Sequence, residues 1–432
     1  MRIDQLELQN FRKFAKLSLD LHSQFTLLVG VNGSGKSTVL NALAVTFSEW
    51  LRHLPTTTMM LSLQQIQPKD ARAISISVGD RVQVQENFPV KVKVIGQIAD
   101  SKGLAWGQEL NRDLKWDSEN VIKEIRKVFD GNTLGGPFNC PVLAFYGVSR
   151  AALPEIDRGL NMFLRTTSRW DGYRHCFNNQ IDYVDLRYWF YRETAAAGVT
   201  GGRKRPGYEV VRNAVFNCLP GASDLWFDVD RADLVSLIDG QAQPLSNLSD
   251  GQRMLLAMVA DIAIKAVTLN AHLLPADELT PEDKPIPRVL KETQGVVLID
   301  ELDLHLHPSW QRRVAADLKR TFPSIQFVCT SHSPQIIGEV PPEQIRIIDG
   351  DIVYSPEHSF GVDSSRILEE IMDTKPRTAL VDNLLTKLSR QISDEDFEGA
   401  RSTLKEVEAK LGENDPEITS ARALMDFVEQ PA

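Results

Sequence analysis

The nine residues at 30–38, Gly-Val-Asn-Gly-Ser-Gly-Lys-Ser-Thr, constrain this chain more than any other feature. They fit the spacing G-x-x-x-x-G-K-[ST]. A continuous apolar run at 25–29 precedes them, as expected of a buried central strand, and an apolar-periodic helix from 37 to about 54 follows. Between a strand and a helix, this spacing predicts a phosphate-binding loop. The glycines let backbone N–H groups converge on phosphate oxygens, and the helix N-terminus adds its dipole. Gly33 and Gly35 form the turn, Lys36 reaches the terminal phosphates, and Ser37 is placed to hold Mg²⁺. Asn32 and Thr38 flank these positions and join them as candidate contacts.

Four further segments carry chemistry. An apolar strand at 296–299 ends in Asp300 and Glu301. Asp300 can hold the metal's hydration shell, and Glu301 can polarise an attacking water as general base. Taken alone, the pair would read as a solvated acidic turn; beside a phosphate loop it reads as a catalytic one. Leu248-Ser249-Asp250-Gly251-Gln252-Arg253 opens a helix, so the amides at Ser249 and Gly251 can form an anion site, although an ordinary N-cap has the same look. Thr330-Ser331-His332-Ser333-Pro334 follows an apolar strand at 326–330. Asp303-Leu-His305-Leu-His307-Pro308 lies between the last two and invites a metal reading of its histidines.

In this order the segments resemble the ABC/SMC-like ATPases, with 248–253 similar to the LSGGQ signature carrying Asp for its first Gly. The resemblance implies ATP and Mg²⁺ as ligands. It implies a head-to-tail homodimer in which Ser249 and Gly251 complete the ATP pocket of the opposite subunit. It further implies that Asp303 links the two sites and that His332 senses the γ-phosphate. Asn10-Phe11-Arg12 ahead of the loop looks like RecF, SMC and the overcoming-lysogenization-defect ATPases, which makes Arg12 a nucleotide contact. The tail, with Phe360-Gly-Val-Asp363, 367–372 and Pro376-Arg377, resembles the PtuA ATPases of Septu anti-phage systems, also found beside certain retrons. That implies a separate HNH nuclease encoded nearby, and DNA reached through the complex. One departure is clear. No glutamine follows the strand at 141–147, where Gly147 to Arg150 stand; Gln64, Gln65 and Gln67 lie in an earlier loop.

The expected fold class is α/β: an ABC-type ATPase head with a mixed sheet around the phosphate loop, an antiparallel β subdomain and a helical signature subdomain, plus a C-terminal helical lobe. The expected divisions are 1–150 (N-terminal lobe), 151–270 (helical, ending in the signature), 271–362 (C-terminal lobe) and 363–432 (helical). β-like stretches are expected at 3–8, 73–84, 89–98 and 346–354, a helix at 117–130 and another at 252–270. The aromatics of 151–245, among them Trp170, Tyr173, Tyr183, Trp189 and Phe190, suit a packed helical core better than a base-stacking platform. A basic loop is expected at 198–207, with irregular segments at 55–73 and 271–294.

Composition excludes little. The net charge of −10 argues against coating nucleic acid by bulk electrostatics but leaves a local basic groove open. The four cysteines lack metal-ligand spacing, so buried reduced thiols are expected. With no signal-peptide run and no long apolar stretch, a cytoplasmic protein without a membrane span is expected. Two other functions share the motifs: a RecF-like repair ATPase acting on DNA directly, and a transporter ATPase subunit. The start of the chain, the aromatic insert and the missing glutamine disfavour the transporter.

Overall fold

The fold is that of a computed structural model, which describes residues 1–54, 63–78, 81–111, 119–130, 138–151, 168–177, 180–199, 202, 204–274 and 286–429. The segments expected at 55–73, 198–207 and 271–294 lie partly outside these residues. The chain divides into two compact units, Met1–Val362 and Asp363–Ala432.

In the first unit the strands are β1 (Arg2–Phe11), β2 (Phe14–Asp20), β3 (Phe25–Val29), β4 (Arg72–Val78), β5 (Arg81–Asn87), β6 (Val90–Ile98), β7 (Ser101–Leu110) and β8 (Val142–Tyr146). They continue with β9 (Ala222–Asp228), β10 (Asp233–Ile238), β11 (Gln241–Pro244), β12 (Gly295–Ile299), β13 (Ile325–Thr330), β14 (Ile345–Asp349) and β15 (Ile352–Tyr354). The central sheet has the order β15-β14-β3-β13-β12-β8. Its four pairings from β14 to β8 are parallel, and β15 joins the edge antiparallel. Every residue of β3, β8, β12 and β13 is buried, which is why these strands are largely apolar, with Thr26, Gln326 and Thr330 as buried polar exceptions. Parallel strands put their C-terminal ends at one edge, and the loops leaving β3, β12 and β13 carry the phosphate loop, the acidic pair and the histidine segment. Ligands of open α/β sheets bind at that edge.

A second sheet, β2-β1-β6-β7, is antiparallel and wraps the helix Lys36–Arg52 through Trp106 and Gln108, which donate to the carbonyls of Thr46 and Val45. The strand expected at 3–8 is longer, and β2 was not expected, although Phe14-Ala-Lys-Leu-Ser-Leu alternates with Phe14, Leu17 and Leu19 buried. The single stretch expected at 73–84 is a hairpin of two strands, β4 and β5.

The division expected at 151–270 needs correction. It is not purely helical, because β9, β10 and β11 form a three-stranded antiparallel sheet within it. The signal was local: Asp239 and Gly240 both take positive φ, 49° and 76°, as the two-residue type I′ hairpin requires. The aromatic residues do pack as a core. Tyr173, Tyr183 and Phe190 are buried, Trp50 Nε1 donates to the Tyr173 hydroxyl at 2.8 Å, and Phe47 stacks on Phe177. All four cysteines are buried and free.

The second unit contains helices at Ala379–Ser393, Phe397–Leu411 and Pro416–Glu429. Their apolar faces meet in a core of Leu388, Ile392, Leu404, Val407, Ile418 and Met425. Among the described residues no helix is long and apolar enough to cross a membrane.

Candidate functional site

The phosphate loop closes on itself as its sequence demands. Gly33 and Gly35 have φ of 77° and 104°, values that favour glycine, and a Cβ at Gly35 would run into the Phe14 ring. Lys36 folds back under the loop, its Nζ donating to the carbonyls of Gly30 at 2.8 Å and Val31 at 3.1 Å. Burial pulls the Lys36 pKa below its usual value, while Asp300 and Glu301 push it back up. The ammonium is therefore poised over carbonyls that phosphate oxygens can replace as partners.

Asp300 stands opposite, at the end of β12. Its Oδ1 accepts from Ser37 Oγ at 3.1 Å and from Thr330 Oγ1 at 2.7 Å. Thr330 Oγ1 also accepts from the Glu301 amide at 2.7 Å, so the last residue of β13 pins the acidic turn. Glu301 sits at φ 51°, a left-handed conformation uncommon for a residue with a Cβ. Ser37 Oγ and the Asp300 carboxylate are hard oxygen donors within 3.1 Å of each other, a pairing that fits Mg²⁺ with its remaining positions left to water and phosphate.

His332 lines the same cleft. Its pKa lies below 6.5, first because of burial and then because of Lys36, with Asp303 and the acidic pair opposing. The ring is therefore neutral near neutrality, and protonation in acid would add a positive charge beside Lys36. Turnover is accordingly expected to show an acid limb centred below pH 6.5 that disappears in His332→Gln; a His-dependent limb above 6.5 would contradict this placement.

The cleft brings together Arg12, Asn32, Gly33, Gly35, Lys36, Ser37 and Thr38 with Asp300, Glu301 and His332. Arg12 is held at its rim by Asp70, which accepts from Arg12 Nε at 2.9 Å. Asp303 faces elsewhere, accepting from Ser331 Oγ at 2.6 Å and the His332 amide at 3.3 Å, so it braces the histidine segment. Ser249 and Gly251 do not line this cleft. Ser249 is exposed and caps the helix Asp250–Leu269 in a capping box with Gln252. Gly251 is buried against the 303–307 turn, where a Cβ would strike the His305 carbonyl.

Sequence reasoning missed two cleft residues. Lys13 donates to the Gly33 carbonyl at 2.6 Å, and Thr330 organises the acidic turn. It also gave no role to Arg150, which stands where the glutamine was sought. Arg150 is fully buried and donates to the carbonyls of Asp300 and Glu301. None of the three earlier glutamines, Gln64, Gln65 and Gln67, lines the cleft.

The chain is 25% identical over 406 residues to the retron Vc95 probable ATPase of Vibrio cholerae serotype O1 biovar El Tor, covering 81% of this chain and 74% of the relative. It is 25% identical over 446 residues to the retron Ec83 probable ATPase of Escherichia coli, covering 87% and 77%. A shorter match, 33% identical over 90 residues, joins 21% of this chain to 10% of the Septu protein PtuA of Bacillus mycoides strain KBAB4. The RecF/RecN/SMC N-terminal domain model matches residues 2–349, which include every residue of the cleft, and the chain belongs to that family.

Proposed function

We propose that this protein is an ATP-hydrolysing switch of an anti-phage defence complex, active as a head-to-tail homodimer. The observation that carries the reading is the division of its motifs. Phosphate loop, acidic pair and histidine share one cleft, while the exposed Ser249 at the helix start lies outside it. Such a helix start presents the positive end of its dipole, with the Ser249 side chain at the surface.

In this reading Lys36 and the loop amides bind the β- and γ-phosphates, and Arg12 and Lys13 screen charge at the rim. Ser37 and Asp300 hold Mg²⁺, which supplies neutralisation of phosphate charge when bound. Glu301 orients the attacking water and accepts its proton. His332, neutral, donates to the γ-phosphate and reports its loss through Asp303. A second copy, related by two-fold symmetry, places its Ser249 and Gly251 over the nucleotide, so closure depends on ATP.

The defence assignment rests on similarity to the retron ATPases and to PtuA. The partner we infer is an HNH nuclease encoded nearby, gated by the two dimer states. Co-purification with the neighbouring gene products tests it: a stable complex with a small HNH protein is expected, and a lone dimer that retains DNA would refute it. The signature role has its own test. Ser249→Arg is expected to keep nucleotide binding within about threefold while lowering turnover about 10²-fold, since one oxyanion-type contact set is lost only in the closed state.

A further inference from the structure

Arg150 is a buried charge that the mechanism above does not use. Its guanidinium has no exposure to solvent and, among the described residues, no carboxylate within ion-pair distance. Its hydrogen bonds go to backbone carbonyls: Nη1 to Asp300 and, at 3.0 Å, to Gly147, and Nη2 to Glu301. Burial brings its pKa down to about 10, so the charge is kept at a cost. A planar fork with several donors matches two successive carbonyls in a way a lysine cannot.

Those carbonyls belong to the turn in which Glu301 adopts φ 51°. A left-handed residue with a Cβ is strained and persists only where its surroundings over-determine it. Thr330 fixes the amide side of that turn and Arg150 the carbonyl side. The opposite end of Arg150 is also tied. Its own carbonyl accepts from the Tyr183 hydroxyl at 3.3 Å. Arg253 stands near enough to Tyr183 for its charge to oppose the burial that raises the hydroxyl's pKa, and Arg253 pairs with Asp250 at 2.5 Å and donates to the Leu248 carbonyl at 3.4 Å. A line of polar groups thus runs from the acidic turn to the 248–251 loop, hydrogen-bonded from the turn to Tyr183 and from Arg253 to the loop, with the Arg253 charge acting on Tyr183 between them.

We propose that Arg150 is a positioning residue that holds the Asp300–Glu301 turn and couples it, through Tyr183 and Arg253, to the signature loop of the same chain. The proposal deepens the ATPase reading, since it takes Glu301 as the base. Through this line the state of one ATP site reaches the loop that caps the other.

Two readouts on the full-length protein test it. In Arg150→Ala, amide exchange at 300–303 is expected to rise about tenfold or more while strand 295–299 stays protected. ATP turnover is expected to fall at least about tenfold in kcat with KM changed less than about threefold. Tyr183→Phe, which keeps the packing and removes the hydroxyl, is expected to lose about fivefold in kcat, the size of one hydrogen bond. Arg150→Lys should recover only part of the loss, because one ammonium cannot replace the fork. Unchanged exchange at 300–303, or exchange rising equally throughout the sheet, overturns the positioning role. If wild-type protein does not hydrolyse ATP, the ATPase reading fails, and the exchange result still decides whether Arg150 holds the turn.

Discussion

Replacing Glu301 with Gln is expected to lower kcat for ATP by about 10²–10³-fold, the usual worth of a positioned general base. Binding should survive. The substitution keeps the side chain's size, and the contacts that shape the cleft use the backbone at this position: its amide to Thr330 and its carbonyl to Arg150. Lys36, Ser37 and Asp300 are untouched. With hydrolysis blocked and binding intact, ATP and Mg²⁺ should drive the variant into a stable dimer that gel filtration resolves from the nucleotide-free form. Turnover of Glu301→Gln within about tenfold of wild type would remove Glu301 from the role of base.

Lys36→Ala is expected to fail one step earlier, with ATP affinity falling about 10²-fold or more. The ammonium is nearly buried, and its partners are two loop carbonyls that would repel phosphate once the lysine is gone. A charge-assisted hydrogen bond contributes about 1.5–3 kcal/mol, so losing those to two phosphates gives an effect of this size. Titration with a fluorescent ATP analogue measures it directly. ATP should also no longer shift the variant to a dimer. Affinity within a few-fold of wild type would place the phosphates elsewhere.

These two residues belong to the part of the molecule most legible in the sequence. Each sits in a short segment whose local pattern states both its conformation and its neighbours. A buried, largely apolar strand meets a Gly-rich turn at Lys36, and another meets two carboxylates at Glu301, so the parallel sheet brings them to one edge. The antiparallel parts were harder. The strand β2 is amphipathic and short, and β9 to β11 lie between helices with polar residues facing out, so a helical reading of their surroundings spread across them. The Asp239-Gly240 turn was the available sign.

Within the site, the residues that sequence reasoning missed act across long separations. Arg150 reaches carbonyls 150 residues away, and Asp70 anchors Arg12 over 58 residues. A contact between a side chain and a distant backbone leaves no spacing rule behind it. Ser249 and Gly251 show the reverse case. Their motif is plain in sequence, yet the cleft of their own chain excludes them. That exclusion is what a site completed by a second copy requires.

The most direct test of that central claim mixes two inactive proteins. Lys36→Ala and Ser249→Arg chains, each with little turnover alone, are combined under conditions that let subunits exchange. In a head-to-tail dimer the mixed pair has one composite site with an intact phosphate loop and an intact signature. With random pairing, half the dimers are mixed and each has one of two sites working, so turnover should return to about a quarter of wild type. A mixture as inactive as its two components, with exchange confirmed by mass, would contradict the shared site.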